Sequence, residues 1–151
     1  MYSLVRRYIK TAIAFLFVGL TIGGWMIVRR ELLLRHPSAF EVSAHTHAIF
    51  VGFVMMMILG VALWLFPRPD KSDTRYKAGH VEAAYWVLTI ATAARIATEL
   101  ARPIVPNLAV RWGVVLASFG QIVGLAIFFN AMWSRIRPVG SQHREAKGER
   151  F

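Results

Sequence analysis

The stretch Ala44-His45-Thr46-His47-Ala48-Ile49-Phe50-Val51-Gly52-Phe53-Val54-Met55-Met56-Met57-Ile58-Leu59-Gly60-Val61-Ala62-Leu63-Trp64-Leu65-Phe66 holds no Asp, Glu, Lys or Arg from end to end. As a helix rising about 1.5 Å per residue, His45 to Phe66 extends about 32 Å, the thickness of a bilayer's hydrocarbon core. Three further apolar stretches run from Thr11 to Val28, Val81 to Ala101 and Trp112 to Trp133. In lipid such segments satisfy their own backbone only as helices, and the alternation of a membrane barrel is absent. The connections Arg29 to Pro37, Pro67 to Gly79 and Arg102 to Pro106 are short, which favours antiparallel neighbours. The sequence therefore predicts an all-α protein, a four-transmembrane-helix up-down-up-down bundle over residues 1–137. A polar tail, 138–151, is predicted to follow it on the cytoplasmic side.

Composition agrees with this reading. The chain has 151 residues, 56% hydrophobic and 17% charged, with mean hydropathy +0.48. That is more apolar and less charged than a soluble domain. Cysteine is absent, which removes disulfides, thiolate-bound zinc, iron–sulfur clusters and covalently attached haem. Metal chemistry would have to rest on His, Met, Asp or Glu. Arg6, Arg7 and Lys10 ahead of the first span imitate a secretory signal. Because no small-residue cleavage site precedes Arg29 and Arg30, the segment is read as a retained helix.

Charge orients the bundle. The N-terminus, the 67–79 connection and the tail must share one side. They carry Arg6, Arg7, Lys10, Arg68, Lys71, Arg75, Lys77, Arg135, Arg137, Arg144, Lys147 and Arg150. The other side carries Arg29, Arg30, Arg35, Arg95, Arg102 and Arg111. Twelve against six places both termini in the cytoplasm, the protein being integral to the cell (inner) membrane. The net charge of +10 is then a topology and anionic-lipid signal. It does not read as a nucleic-acid interface, since the cations are divided among short loops.

Pro37-Ser38-Ala39-Phe40-Glu41 reads as a capping box that starts the second helix. His45 then lies about 10 Å inside it, near the outer edge of the hydrocarbon. Ionisable groups at such depth are costly and mark functional sites, the competing reading being interfacial histidines bonded to headgroups or a neighbouring helix. His45 and His47 are about 200° apart on a helix and cannot serve one face. His45 shares its stripe with Ala48, Ile49, Gly52 and Met56, small enough in part to admit a flat macrocycle or a close helix. The bulkier stripe of His47, with Phe50, Val51, Val54 and Ile58, reads as packing or lipid contact. His45 is thus the stronger metal ligand and His47 the second.

Arg95, Glu99, Arg102 and Arg111 fall at the same outer level. Arg95 pairs either with Glu99 at i,i+4 or with a carboxylate of a bound group, and the two readings are compatible. Met26 and His36 are within reach of the same level. His80 is at the cytoplasmic edge and His143 in the tail. Gly19 with Gly23 and Gly120 with Gly124 mark close helix approach, within the chain or between protomers. Gln121 and Asn130 are read as bonding across helices, and Met55–Met57 as filling packing gaps. Neither a phosphate loop nor a nucleophile–base set supports a hydrolase.

Residues 44–53, continuing through Gly60 to Phe66-Pro67-Arg68, resemble the haem-binding helices of the haem–copper oxidase catalytic subunit. The likeness is greatest to the C-type oxidase and nitric oxide reductase branch. From Arg6-Arg7-Tyr8-Ile9-Lys10 onward the chain also resembles short four-helix relatives with a His-x-His second helix and a histidine opening the third, as His80 does. The resemblance implies haem b held by histidine near the outer face. It does not extend to the histidines of a second metal, so oxidase or reductase turnover is not implied for a single chain.

The leading expectation is a haem b-binding membrane protein with His45 as ligand, or His47 in its place. Ala48 and Gly52 would lie beside the macrocycle and Arg95, Arg102 and Arg111 would hold its propionates. The iron would either stay five-coordinate and bind nitric oxide or oxygen, or take a second ligand and transfer electrons to a respiratory-chain partner. His36 and Met26 are the second ligands on offer within one chain. A homo-oligomer could supply another. The competing expectation is a cofactor-free accessory or assembly subunit of a respiratory complex. Nitric oxide reduction by an oligomer ranks third.

Overall fold

Ser38 opens the second helix as its spacing predicts. Its hydroxyl accepts from Glu41 N while the Glu41 carboxylate accepts from Ser38 N at 2.8 Å. The computed structural model describes residues 2–67, 76, 78–136 and 147–148. In it α1 covers Tyr2–Glu31, α2 Ala39–Leu65, α3 Ala78–Ala101 and α4 Leu108–Met132, which runs into a 3-10 turn at Trp133–Arg135. The expected all-α fold is present, and α1, α2 and α4 are each long and apolar enough to cross a membrane. α3 has 24 residues, about 36 Å of rise, and carries Glu82, Arg95 and Glu99 within it. Arg68, Lys71, Arg75, Lys77, Arg137, His143, Arg144 and Arg150 lie outside the described residues, as does the tail apart from 147–148.

α1 meets α2 through a seam of alternating three- and four-residue steps. Val5, Tyr8, Ala12, Phe15, Gly19 and Ile22 are buried and Met26 is half-buried. Glycine sets the separation. A methyl on Gly60 would lie 3.0 Å from Tyr8, one on Gly52 2.6 Å from the Phe15 ring, and one on Gly19 2.5 Å from Ile49. Ascending α1 thus descends α2. α3 and α4 pair the same way, with Gly113 on Thr98, Gly120 on Ala91 and Gly124 on Leu88. Both GxxxG patterns therefore serve contacts within the chain. Between the pairs, Tyr8 of α1 donates to Val81 O of α3 at 3.2 Å, and within the second pair Gln121 of α4 donates to Thr92 Oγ1 of α3 at 3.1 Å.

The middle of α2, Ala48–Met55, is π-helical. The buried positions explain its usefulness. Ala44, Ala48, Gly52, Met56 and Gly60 recur every four residues, a step that drifts about 40° around an α-helix at 100° per residue. The wider turns of a π segment turn the stripe back, so that Ala48, Gly52 and Gly60 all stay on α1.

The outer surface is apolar. Phe17, Leu20, Phe50, Ile58, Trp64, Ile90, Leu116, Phe119 and Ile122 are each more than half exposed. Soluble monomers do not leave so much large apolar surface bare, and it is compatible with contact to a bilayer.

Two helix ends are held in ways the sequence conceals. Arg135, counted above among the cytoplasmic surface charges, is fully buried. It donates from Nε to Pro67 O at 2.8 Å and from Nη2 to Leu63 O at 3.2 Å and Phe66 O at 3.0 Å. It thereby caps the last carbonyls of α2. At the end of α1, Leu32 N donates to Val28 O and Leu34 takes a left-handed conformation, φ +51°. A leucine there pays a steric cost that glycine avoids, and its side chain is exposed. Leu34→Gly is expected to raise stability by about 0.5–1 kcal/mol, read as a higher unfolding midpoint in detergent.

Candidate functional site

The two histidines of α2 face different neighbours, as their angular separation requires. His45 turns to α1, where Nδ1 lies 2.8 Å from Gly19 O. A carbonyl can only accept, so Nδ1 carries the proton and the neutral ring keeps its lone pair on Nε2. The ring rests on Gly23, where a methyl would come within 2.8 Å of Cε1. Gly19 and Gly23 thus seat this imidazole as well as admitting α2.

His45 lines a cavity of about 690 Å³ between the end of α1, the connection and the start of α2. Leu20, Ile27 and Val42 supply apolar wall, and Met26, Arg30 and His36 supply the polar or coordinating groups. The hollow therefore lies toward the carboxyl end of α1. The room expected beside Ala48 and Gly52 is filled by α1, with Ala48 against Gly19 and Gly52 against Phe15.

His47 turns toward α3. Its Nδ1 donates to Ser43 O at 2.8 Å and lies 3.6 Å from Glu99 Oε2. Glu99 is 2% exposed, and its Oε1 accepts from Arg95 Nε at 2.7 Å and Ser43 Oγ at 2.7 Å. Oε2 makes no hydrogen bond among the described residues. Arg95 also donates to Ser118 Oγ, so the cluster ties α2, α3 and α4 together. Of the two partners weighed for Arg95, the structure contains Glu99. Arg102 stacks over the Phe40 ring, 5.3 Å from its centroid, and Arg111 is exposed. None of Arg95, Arg102 and Arg111 lines the His45 cavity; among the described residues the arginine that does is Arg30.

In the sequence Arg30 reads only as an outer-side charge, and the pairing of α1 with α2 brings it to the cavity. Gly23, Met26 and Arg30 follow at three- and four-residue steps, which puts them on the face of α1 that meets His45 of α2. His80 opens α3 at the opposite end, where it shares a shallow hollow of about 420 Å³ with Asn130. About 28 Å of helix separates it from Glu99, the residue that touches Ser43 on α2. Among the described residues no three His, Asp or Glu side chains gather to hold a bare metal ion.

Fold and site together define an all-α protein with three helices able to cross a membrane and a histidine-lined cavity at one end. Set against known protein families, curated proteins and solved structures, the chain matches none.

Proposed function

We propose that the protein is a membrane cytochrome-like chain that binds haem b through His45. In this reading four helices cross the cell (inner) membrane up-down-up-down, with both termini cytoplasmic and the cavity near the outer face. The seating of His45 carries the reading. A backbone carbonyl fixes Nδ1–H, which orients the ring and leaves Nε2 as the donor, an arrangement typical of metal-binding imidazoles. The cavity also fits the group. Its volume of about 690 Å³ falls among those of small-molecule sites, its walls are largely aliphatic, and Arg30 offers a guanidinium for a propionate. A porphyrin brings four nitrogens of its own and asks the protein for only one or two ligands, which a site without a three-residue metal cluster can supply. Internal pairing of Arg95 with Glu99 supports α3 as the fourth crossing helix, because the charges face protein rather than lipid. The resemblance of residues 44–68 to haem-binding oxidase helices supports the same assignment.

When bound, such a haem supplies one-electron transfer to a respiratory-chain partner or binding of nitric oxide or oxygen. The chain's own residues orient and shield it. Gly19 O holds the ring of His45, Leu20, Ile27 and Val42 exclude water, and Arg30 neutralises an acidic edge. His47, engaged with Ser43 and facing Glu99, acts as a link between helices.

The test is the absorption spectrum of protein expressed with ample haem and purified in detergent. A Soret band is expected, lost in His45→Ala and retained in His47→Ala. A folded, colourless wild type would overturn the proposal and favour a cofactor-free accessory subunit. That second reading draws on the fact that both imidazoles already have hydrogen-bond partners inside the chain.

A further inference from the structure

The His45 cavity contains a second imidazole with nothing to hold it. His36 is exposed, and among the described residues it makes no hydrogen bond, ion pair or ring contact, yet it lines the same cavity. Its backbone, by contrast, is pinned on both sides by one residue. Arg29 O accepts from Arg35 N at 3.0 Å. The Arg29 guanidinium bonds Glu41, whose carboxylate in turn accepts from Ser38 N. Pro37 biases His36 itself to extended backbone. Only the side-chain torsions of His36 are left free, on a segment tethered beside the cavity.

We infer that His36 is the second side chain that would hold the haem, more weakly than His45, so that a diatomic gas would take its place. This rests on the haem reading. The asymmetry between the two imidazoles carries it. The ring of His45 is fixed by Gly19 O and packed on Gly23, whereas no second group orients His36, and ligating histidines lacking such a partner bind more weakly. Met26 is the other donor in the cavity, but it is half-buried and packed against the apolar core, which commits its side chain. Exchange breaks one bond from iron to a neutral imidazole and makes one to a neutral diatomic. Electron count and protonation are unchanged.

The experiment compares wild type, His36→Ala and Met26→Leu, each purified with haem, by absorption, electron paramagnetic resonance and carbon monoxide binding. Wild type is expected to be low-spin and six-coordinate. His36→Ala should keep its haem, become high-spin, and return to low-spin on addition of imidazole. Carbon monoxide should bind the reduced His36→Ala protein about tenfold or more tightly than wild type, because no ligand has to leave first. Haem loss from a helical His36→Ala protein that imidazole reverses would count the same way. A haem-bearing wild type whose spectrum and gas affinity are unmoved by His36→Ala, or moved by Met26→Leu instead, overturns this inference and leaves the haem reading intact. A wild type without haem overturns both.

Discussion

Arg135→Met is expected to destabilise the folded protein by about 3–5 kcal/mol, measured as a shift of the denaturation curve in detergent followed by circular dichroism. The guanidinium is fully buried and donates to the carbonyls of Leu63, Phe66 and Pro67. The first two are among the acceptors that a helix end cannot satisfy for itself. Methionine fills similar volume but donates nothing, and three acceptors are stranded where water is scarce. Hydrogen bonds from a charged donor contribute about 1.5–3 kcal/mol each. Part of that sum is offset because the variant need not desolvate a cation. Arg135→Lys keeps the charge but offers one compact donor group in place of a planar fork, and should recover only part of the loss. The cation also lies over Tyr76, 5.0 Å from the ring centroid, a contact that lysine would keep less well. An Arg135→Met protein as stable as wild type would show that α2 finishes without this cap.

Helix existence, the start of α2 and helix facing were legible because each depends on spacing along one segment. The Ser38–Glu41 box is where the pattern put it, His45 and His47 look away from each other, and Arg95 meets Glu99 at i,i+4. The concealed features depend on what another segment brings. Arg135 follows a span and reads as an interfacial charge until the carbonyls of α2, 68 to 72 residues earlier in sequence, arrive beside it. The π segment has no composition of its own. It follows from four-residue spacing of small side chains combined with the need to keep all of them on α1. An α-helical wheel assumes the geometry that this contact changes. For the same reason the space beside Ala48 and Gly52 read equally as room for a macrocycle or a helix, and Phe15 fills it. Arg30 belongs to the cavity only once α1 and α2 run antiparallel with Gly23 over His45.

Arg95→Ala should cost about 3–5 kcal/mol, because it leaves the carboxylate of Glu99 buried without its cation. Glu99 is 2% exposed, its Oε2 already lacks a hydrogen bond among the described residues, and Ser43 Oγ alone would remain on Oε1. His47 Nδ1, 3.6 Å away and committed to Ser43 O, is too far to replace a guanidinium. The double variant Arg95→Leu with Glu99→Leu should lie within about 1–2 kcal/mol of wild type, since a buried pair repays little more than its own desolvation. The singles Arg95→Leu and Glu99→Leu form a cycle with this double, and a coupling of about 2 kcal/mol or more assigns the stabilisation to the pair itself. Additive singles would assign it to separate packing effects. On the haem reading proposed above, repeating the cycle with and without haem separates the two partners weighed for Arg95. The same coupling in both forms is expected, because Arg95 lies outside the His45 cavity. A coupling that falls when haem is bound would mean that a propionate competes with Glu99 for the guanidinium.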